Sequence, residues 1–169
     1  MAGIVAVLLA LVLAMLGKAR TSAGNIRCLS NLRQIGVAFT TYASDNQGRL
    51  PDPASAQMPW EAALRKYLAT ARVLECPADQ EVFPAIGSSY DWRDTGDETT
   101  TLAGQMIGGV KRQSTVLALE ALPGWHARAR INAVRIDGSA HTMPADECLA
   151  DLQTPLRGEP SQSQERAGR

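Results

Sequence analysis

His126 and Asp137 have the side-chain types from which a chemical centre is most readily built. An imidazole and a carboxylate make a general-base pair, and each can ligate a metal. Neither a nucleophile nor a second ligand cluster accompanies them in the sequence. The preferred reading is structural: Asp137-Gly138 forms a tight turn, and His126 caps or bridges a loop. Asp91, Asp94, Asp97 and Glu98 offer the oxygen ligands that calcium takes, but their spacing is not that of an EF-hand, and a solvated acidic loop is the plainer alternative. Arg128, Arg130 and Arg135 form a cationic stretch without interleaved aromatics, so no nucleic-acid partner is expected. Three Cys exclude a disulfide-dense mini-scaffold and a four-Cys zinc site, and two His exclude a His-rich metal centre.

The elements that must position these residues follow from how apolarity is distributed. The chain has 169 residues, about one domain, with 17 basic and 17 acidic side chains and no formal net charge. That balance argues against a protein built to coat nucleic acid. Hydrophobic residues at 45% and charged residues at 20% give a globular average. The average hides a segregation: residues 2–17 (AGIVAVLLALVLAMLG) carry no charge. As a helix they span roughly 24 Å, somewhat short of the roughly 30 Å bilayer core. An uncleaved membrane anchor is preferred over a cleaved signal, which lacks a basic n-region, and over a core helix, which is seldom apolar all round. Ala2, Ala6, Ala10 and Ala14 recur every fourth residue and form a small-residue ridge of the kind that lets membrane helices approach closely. Lys18, Arg20, Arg27 and Arg33 all follow the apolar segment, a placement that by itself would keep the C-terminal part in the cytoplasm.

Residues 25–46 read as an amphipathic helix, with Ile26, Leu29, Leu32, Ile35, Phe39 and Tyr42 as its apolar stripe. Residues 2–46 are therefore expected to form one helix, roughly 65 Å long, whose front is apolar all round and whose rear has one apolar face. A short helix is expected over 59–69. Strands are expected at Val73-Leu74, Ser89–Trp92 and Val116–Leu119, and a hairpin of 131–136 with 139–143 around Asp137-Gly138. A last helix should present Leu149 and Leu152. Three units result: an anchor at 1–20, a head domain at 21–152 and a disordered tail at 153–169. Acids crowd residues 75–98, where Arg93 is the one base, and bases crowd 111–135, where Glu120 is the one acid. Such opposed patches suit surface solvation or head-to-tail assembly.

Several blocks, taken in order, resemble bacterial prepilin-like proteins: Lys18-Ala19-Arg20, Cys28–Gly36 (CLSNLRQIG), Tyr42–Pro51 (YASDNQGRLP), Glu75–Asp79 (ECPAD), Ser88-Ser89-Tyr90, Val116–Glu120 and, after His126, Asn132–Gly138 (NAVRIDG). The chain is similar to type II secretion pseudopilins and type IV pilins, most of all to a subgroup ending in a His-x9-Asp-Gly motif. The resemblance covers most of residues 2–143. It implies an α+β, pilin-like fold: a long N-terminal helix, its apolar half in the inner membrane, packed on a small antiparallel sheet outside it. It further implies a non-enzymatic subunit that polymerises through this helix with copies of itself or other pilin-like chains. A prepilin peptidase would process it if a leader precedes Met1. No cofactor is expected beyond the calcium already considered.

In these blocks Cys28 and Cys76 become disulfide candidates, with two free thiols or a pairing with Cys148 as alternatives. His126, Asp137 and Gly138 become structural motif residues. The family's basic leader and Gly-Phe-Thr-Leu-Ile-Glu processing site do not precede the helix here, and a start codon assigned too late would account for both the short span and the charge placement. His126 and Asp137 stand one residue further apart than the motif, and His141 follows Gly138 by three, so the hairpin register is expected to carry a bulge. The alternative function is a secreted or surface binding domain released by cleavage near residue 20. A small hydrolase using His126 and Asp137 is a third reading.

Overall fold

The computed structural model describes residues 2–156. α1 (Ala2–Asp45) is a single helix of 44 residues, about 66 Å long. Thr21, Ser22 and Ala23 do not break it, and they are exposed. The alanine ridge lies outside the residues whose side chains are described. Among the described residues no helix is long and apolar enough to cross a membrane.

The helix begins to pack at Gly24 and Asn25. Its buried face runs through Cys28, Asn31, Leu32, Ile35, Ala38, Phe39 and Ala43. Ile26, expected on this stripe, is 64% exposed. The reason is angular: at about 100° per residue, nine residues separate Ile26 from Ile35 by half a turn. At Gly36 the helix backbone comes closest to the sheet, for a Cβ there would stand 3.0 Å from Val134 Cγ2.

Four antiparallel strands lie in sequence order: β1 (Tyr90–Trp92), β2 (Val116–Glu120), β3 (Arg130–Arg135) and β4 (Ala140–Pro144). α1 covers one face, over Leu117, Val134 and Ala140. A C-terminal helix (Ala145–Gln153) covers the other, enclosing Val116, Leu119, Ile131, Ala133, Met143 and Cys148. With both faces covered, every residue of β2 is buried, which is why that strand reads as an apolar run without alternation. Phe39 stacks between Trp60 and Trp92, with ring centroids 5.6 and 4.9 Å away.

Several expected elements differ in detail. Val73-Leu74 closes a 3-10 turn (Ala71–Leu74) and is not a strand; two apolar residues pack equally well in either conformation. The helix expected over 59–69 is a single α-turn (Trp60–Leu64) continued by a 3-10 turn (Arg65–Tyr67). In the C-terminal helix Leu149 is 57% exposed, and Cys148 takes the buried position. The β3–β4 turn is closed by the Gly138 N–H donating to Arg135 O at 2.9 Å, with Gly138 left-handed at φ 81°. That is a three-residue loop with a left-handed glycine. The β3–β4 pairing itself runs without a break from Arg130 opposite Pro144 to Val134 opposite Ala140, and the register irregularity lies instead between β2 and β3, at Val116 and Ala118. Residues 153–156 stay tied to the head, since Leu156 N–H donates to Thr99 O and the Leu156 side chain packs on the α1-side core. The remainder of the stretch read as a tail, 157–169, lies outside the described residues.

Candidate functional site

Four segments converge where the rear half of α1 meets the sheet. Cys28 projects from α1. Cys76 follows the 3-10 turn, its N–H donating to Ser89 Oγ at 2.9 Å. Asn31, one turn after Cys28, fixes the same junction by donating to Glu75 O (2.9 Å) and Tyr90 Oη (3.2 Å). Glu120 ends β2, and His126 lies in the loop between β2 and β3.

Cys28 and Cys76 are joined as a disulfide with Cα atoms 5.4 Å apart, linking helix to head across 48 residues of sequence. Cys148 is free and buried on the opposite side of the sheet. Around the disulfide, Cys76 Sγ lies 3.2 Å from His126 Nε2 and 3.9 Å from Glu120 Oε1, and His126 Nε2 lies 3.2 Å from the same Oε1. The His126 and Glu120 side chains are 4% and 1% exposed. A carboxylate this deep needs donors. Asn132 on β3 supplies them, its backbone N–H to Oε2 and its side-chain amide to Oε1, both at 3.0 Å. Asn132 is itself held, donating to Asn25 Oδ1 at 2.7 Å and accepting from Thr142 Oγ1 at 2.6 Å. The His126 ring rests against the helix at Gly24, where a Cβ would stand 3.6 Å from its Cε1.

The structure separates His126 from Asp137. His126 precedes β3, whereas Asp137 follows it, in the β3–β4 turn. Asp137 Oδ1 accepts from the Ser139 hydroxyl (2.6 Å) and N–H (2.8 Å). These bonds, the hydroxyl first, hold its pKa below the ordinary carboxylate value. Asp137 and Gly138 thus build a turn, and the carboxylate beside His126 is Glu120. His141 sits on β4 opposite Ala133.

The acids Asp91, Asp94, Asp97 and Glu98 do not converge on a common point. Asp91 accepts from Trp92 N–H, Asp94 from the Thr101 hydroxyl, and Asp97 from Thr99 N–H and hydroxyl. Among the described residues, the one group of three or more His, Cys, Asp or Glu side chains with ligand atoms in common reach is Cys28, Cys76, Glu120 and His126, all within 4.8 Å of one another. Two sulfurs, an imidazole nitrogen and a carboxylate oxygen form a donor set suited to a zinc-class cation once the sulfurs are thiolates.

Glu120 and Asn132 both lie within the family-like blocks, but the sequence reading gives neither a role in a site. Glu120 does carry a sequence signal, as the one acid in an otherwise basic stretch and within an apolar run. Its counterpart Arg93, the one base in the acidic stretch, is also buried, donating to Thr100 O, Asp151 Oδ1 and Thr154 O at 2.6–2.7 Å. A lone charge of the minority sign marks an internal tie in both cases.

Set against known proteins, the chain matches no family model, no curated protein and no solved structure. The architecture is α+β, a long helix packed on a four-stranded antiparallel sheet.

Proposed function

We propose that this chain is a membrane-anchored, non-enzymatic, pilin-like subunit of a type II secretion or type IV pilus-like assembly, polymerising through its N-terminal helix. The observation that carries the reading is the division of one unbroken helix into two regimes. From Gly24 onward α1 is built into the head. Ahead of that, Val5 and Met15 are 55% and 69% exposed, as side chains meant for lipid or a neighbouring helix would be.

The sequence of the front segment supports the same reading, because sixteen uncharged residues in water would be costly to leave uncovered. The segment's roughly 24 Å covers most of the roughly 30 Å bilayer core, and in this reading the front half lies in the inner membrane beside the helices of other subunits. The Cys28–Cys76 disulfide supports a head outside the cytoplasm, where such bonds persist.

Membrane fractionation of a bacterium expressing the chain tests this. The full-length protein stays with the membranes after an alkaline carbonate wash, while a chain lacking residues 2–17 is released. Release of the intact chain would overturn the anchor, and a mature N-terminus near Arg20 would favour a secreted domain instead.

A further inference from the structure

We infer that Cys28, Cys76, His126 and Glu120 form a two-state cross-link: a disulfide when oxidised, and a buried four-ligand site for a zinc-class divalent cation when reduced. The inference stands independently of the assembly proposed above.

Three of the four donors, Cys76, His126 and Glu120, already stand at spacings near those of one face of a tetrahedron, and all four lie within 4.8 Å of one another. With metal–sulfur bonds near 2.3 Å and metal–nitrogen or –oxygen bonds near 2.0–2.2 Å, the edges of such a tetrahedron are about 3.3–3.8 Å. Three edges stand at 3.2 Å (Cys76 to His126), 3.2 Å (His126 to Glu120) and 3.9 Å (Cys76 to Glu120). The edge that must lengthen is Cys28 to Cys76, and breaking the sulfur–sulfur bond allows that.

The surroundings belong to a ligand site as well. Asn132 holds both oxygens of Glu120, and Asn132 is held in turn by Asn25 and Thr142, the kind of outer partner that orients a ligating carboxylate. Burial supplies the driving force. Reduction leaves two thiols and an imidazole around a carboxylate that is 1% exposed, and a divalent cation offsets the charge that solvent cannot reach.

The chemistry balances with a dithiol as reductant. The dithiol passes two electrons and two protons to the Cys28–Cys76 bond, which opens to two thiols, while the dithiol closes to its own disulfide. The cation then displaces both thiol protons to solvent. It takes the lone pair of neutral His126 Nε2 and an oxygen of Glu120 as third and fourth ligands. In both states the helix remains stapled to the head.

The test uses the full chain in mild detergent, reduced with a non-chelating phosphine and titrated with cobalt(II) as a spectroscopic probe. A single equivalent of cobalt is expected to give a thiolate-to-metal charge-transfer band that zinc abolishes. The oxidised chain gives no such band. His126→Ala, which keeps the disulfide and so folds before reduction, is expected to weaken binding at least about tenfold after reduction, and Glu120→Gln likewise. If the reduced chain loosens, zinc raises its thermal midpoint in the wild type and not in His126→Ala. Absence of the thiolate band in the reduced wild type overturns the site. Unchanged affinity in His126→Ala or Glu120→Gln overturns the four-ligand assignment.

Discussion

Asn132 meets Glu120 with two donors at once, its backbone N–H on one carboxylate oxygen and its side-chain amide on the other, each at 3.0 Å. This pair explains why a charged side chain can end a fully buried strand. Removing the amide leaves one oxygen of a buried carboxylate without that donor. Hydrogen bonds to charged groups contribute about 1.5–3 kcal/mol each. Asn132→Ala is therefore expected to lower unfolding free energy by about 2–3 kcal/mol in urea titrations. Asn132→Asp should cost more, because it sets two carboxylates side by side.

The Cys28–Cys76 bond closes a loop across 48 residues. Chain-entropy reasoning assigns such a loop about 4 kcal/mol. The double variant Cys28→Ser/Cys76→Ser is expected to lose about that much stability in metal-free buffer, read from urea titrations as a lower midpoint with a steeper slope, since the unlinked unfolded chain is more expanded. Adding the phosphine to the wild type in the presence of a chelator should reproduce the shift.

Cys148 gives the pH dependence its sign. Burial, with lesser repulsion from Asp151 and Glu147, pushes its thiol up to about 11 from an ordinary value of 9.0. Between those values the unfolded chain has lost a proton that the folded chain retains, so stability falls as pH rises from about 9 to about 11. Cys148→Ala is expected to flatten that part of the stability–pH curve. At pH 8 a thiol-alkylating reagent should leave the native oxidised chain unmodified and label it at one site after unfolding.

Gly36 and Val134 define the closest approach of α1 to the sheet, at 3.0 Å for an added Cβ. Two effects compete in Gly36→Ala. Helix propensity favours alanine by about 1 kcal/mol. Overpacking a core typically costs about 1–3 kcal/mol. The clash is expected to win in Gly36→Ala and to win by more in Gly36→Leu. In a Val134→Ala background the sign should reverse for Gly36→Ala, a coupling that a double-mutant cycle in thermal unfolding would measure.

Much of the fold is legible because it rests on periodicity. The 44-residue helix follows from an uncharged run continuing into a three-four stripe, and β2 and the β3–β4 hairpin follow from apolar runs and Asp137-Gly138. Elements that depend on tertiary context are harder to read. Val73 and Leu74 pack as a 3-10 turn because the chain needs only two buried side chains there, and Ile26 points outward because it lies half a helical turn around α1 from Ile35. The candidate site is half legible. Cys28, Cys76 and His126 all lie in recognisable blocks, but the spacing of His126 to Asp137 points to the wrong carboxylate. Glu120 reaches the histidine only because β2 and the loop after it fold back, a juxtaposition that linear spacing does not encode.

Cysteine accessibility in intact membranes addresses the two-regime helix most directly. The native disulfide and the buried Cys148 leave the background low for a membrane-impermeant maleimide. Thr21→Cys and Ser30→Cys, at exposed positions of α1, are expected to label readily. Leu9→Cys and Leu13→Cys should resist the reagent until the membranes are dissolved in detergent. Equal labelling of Leu9→Cys and Thr21→Cys in intact membranes would contradict a helix whose front half lies in lipid and whose rear half carries the head.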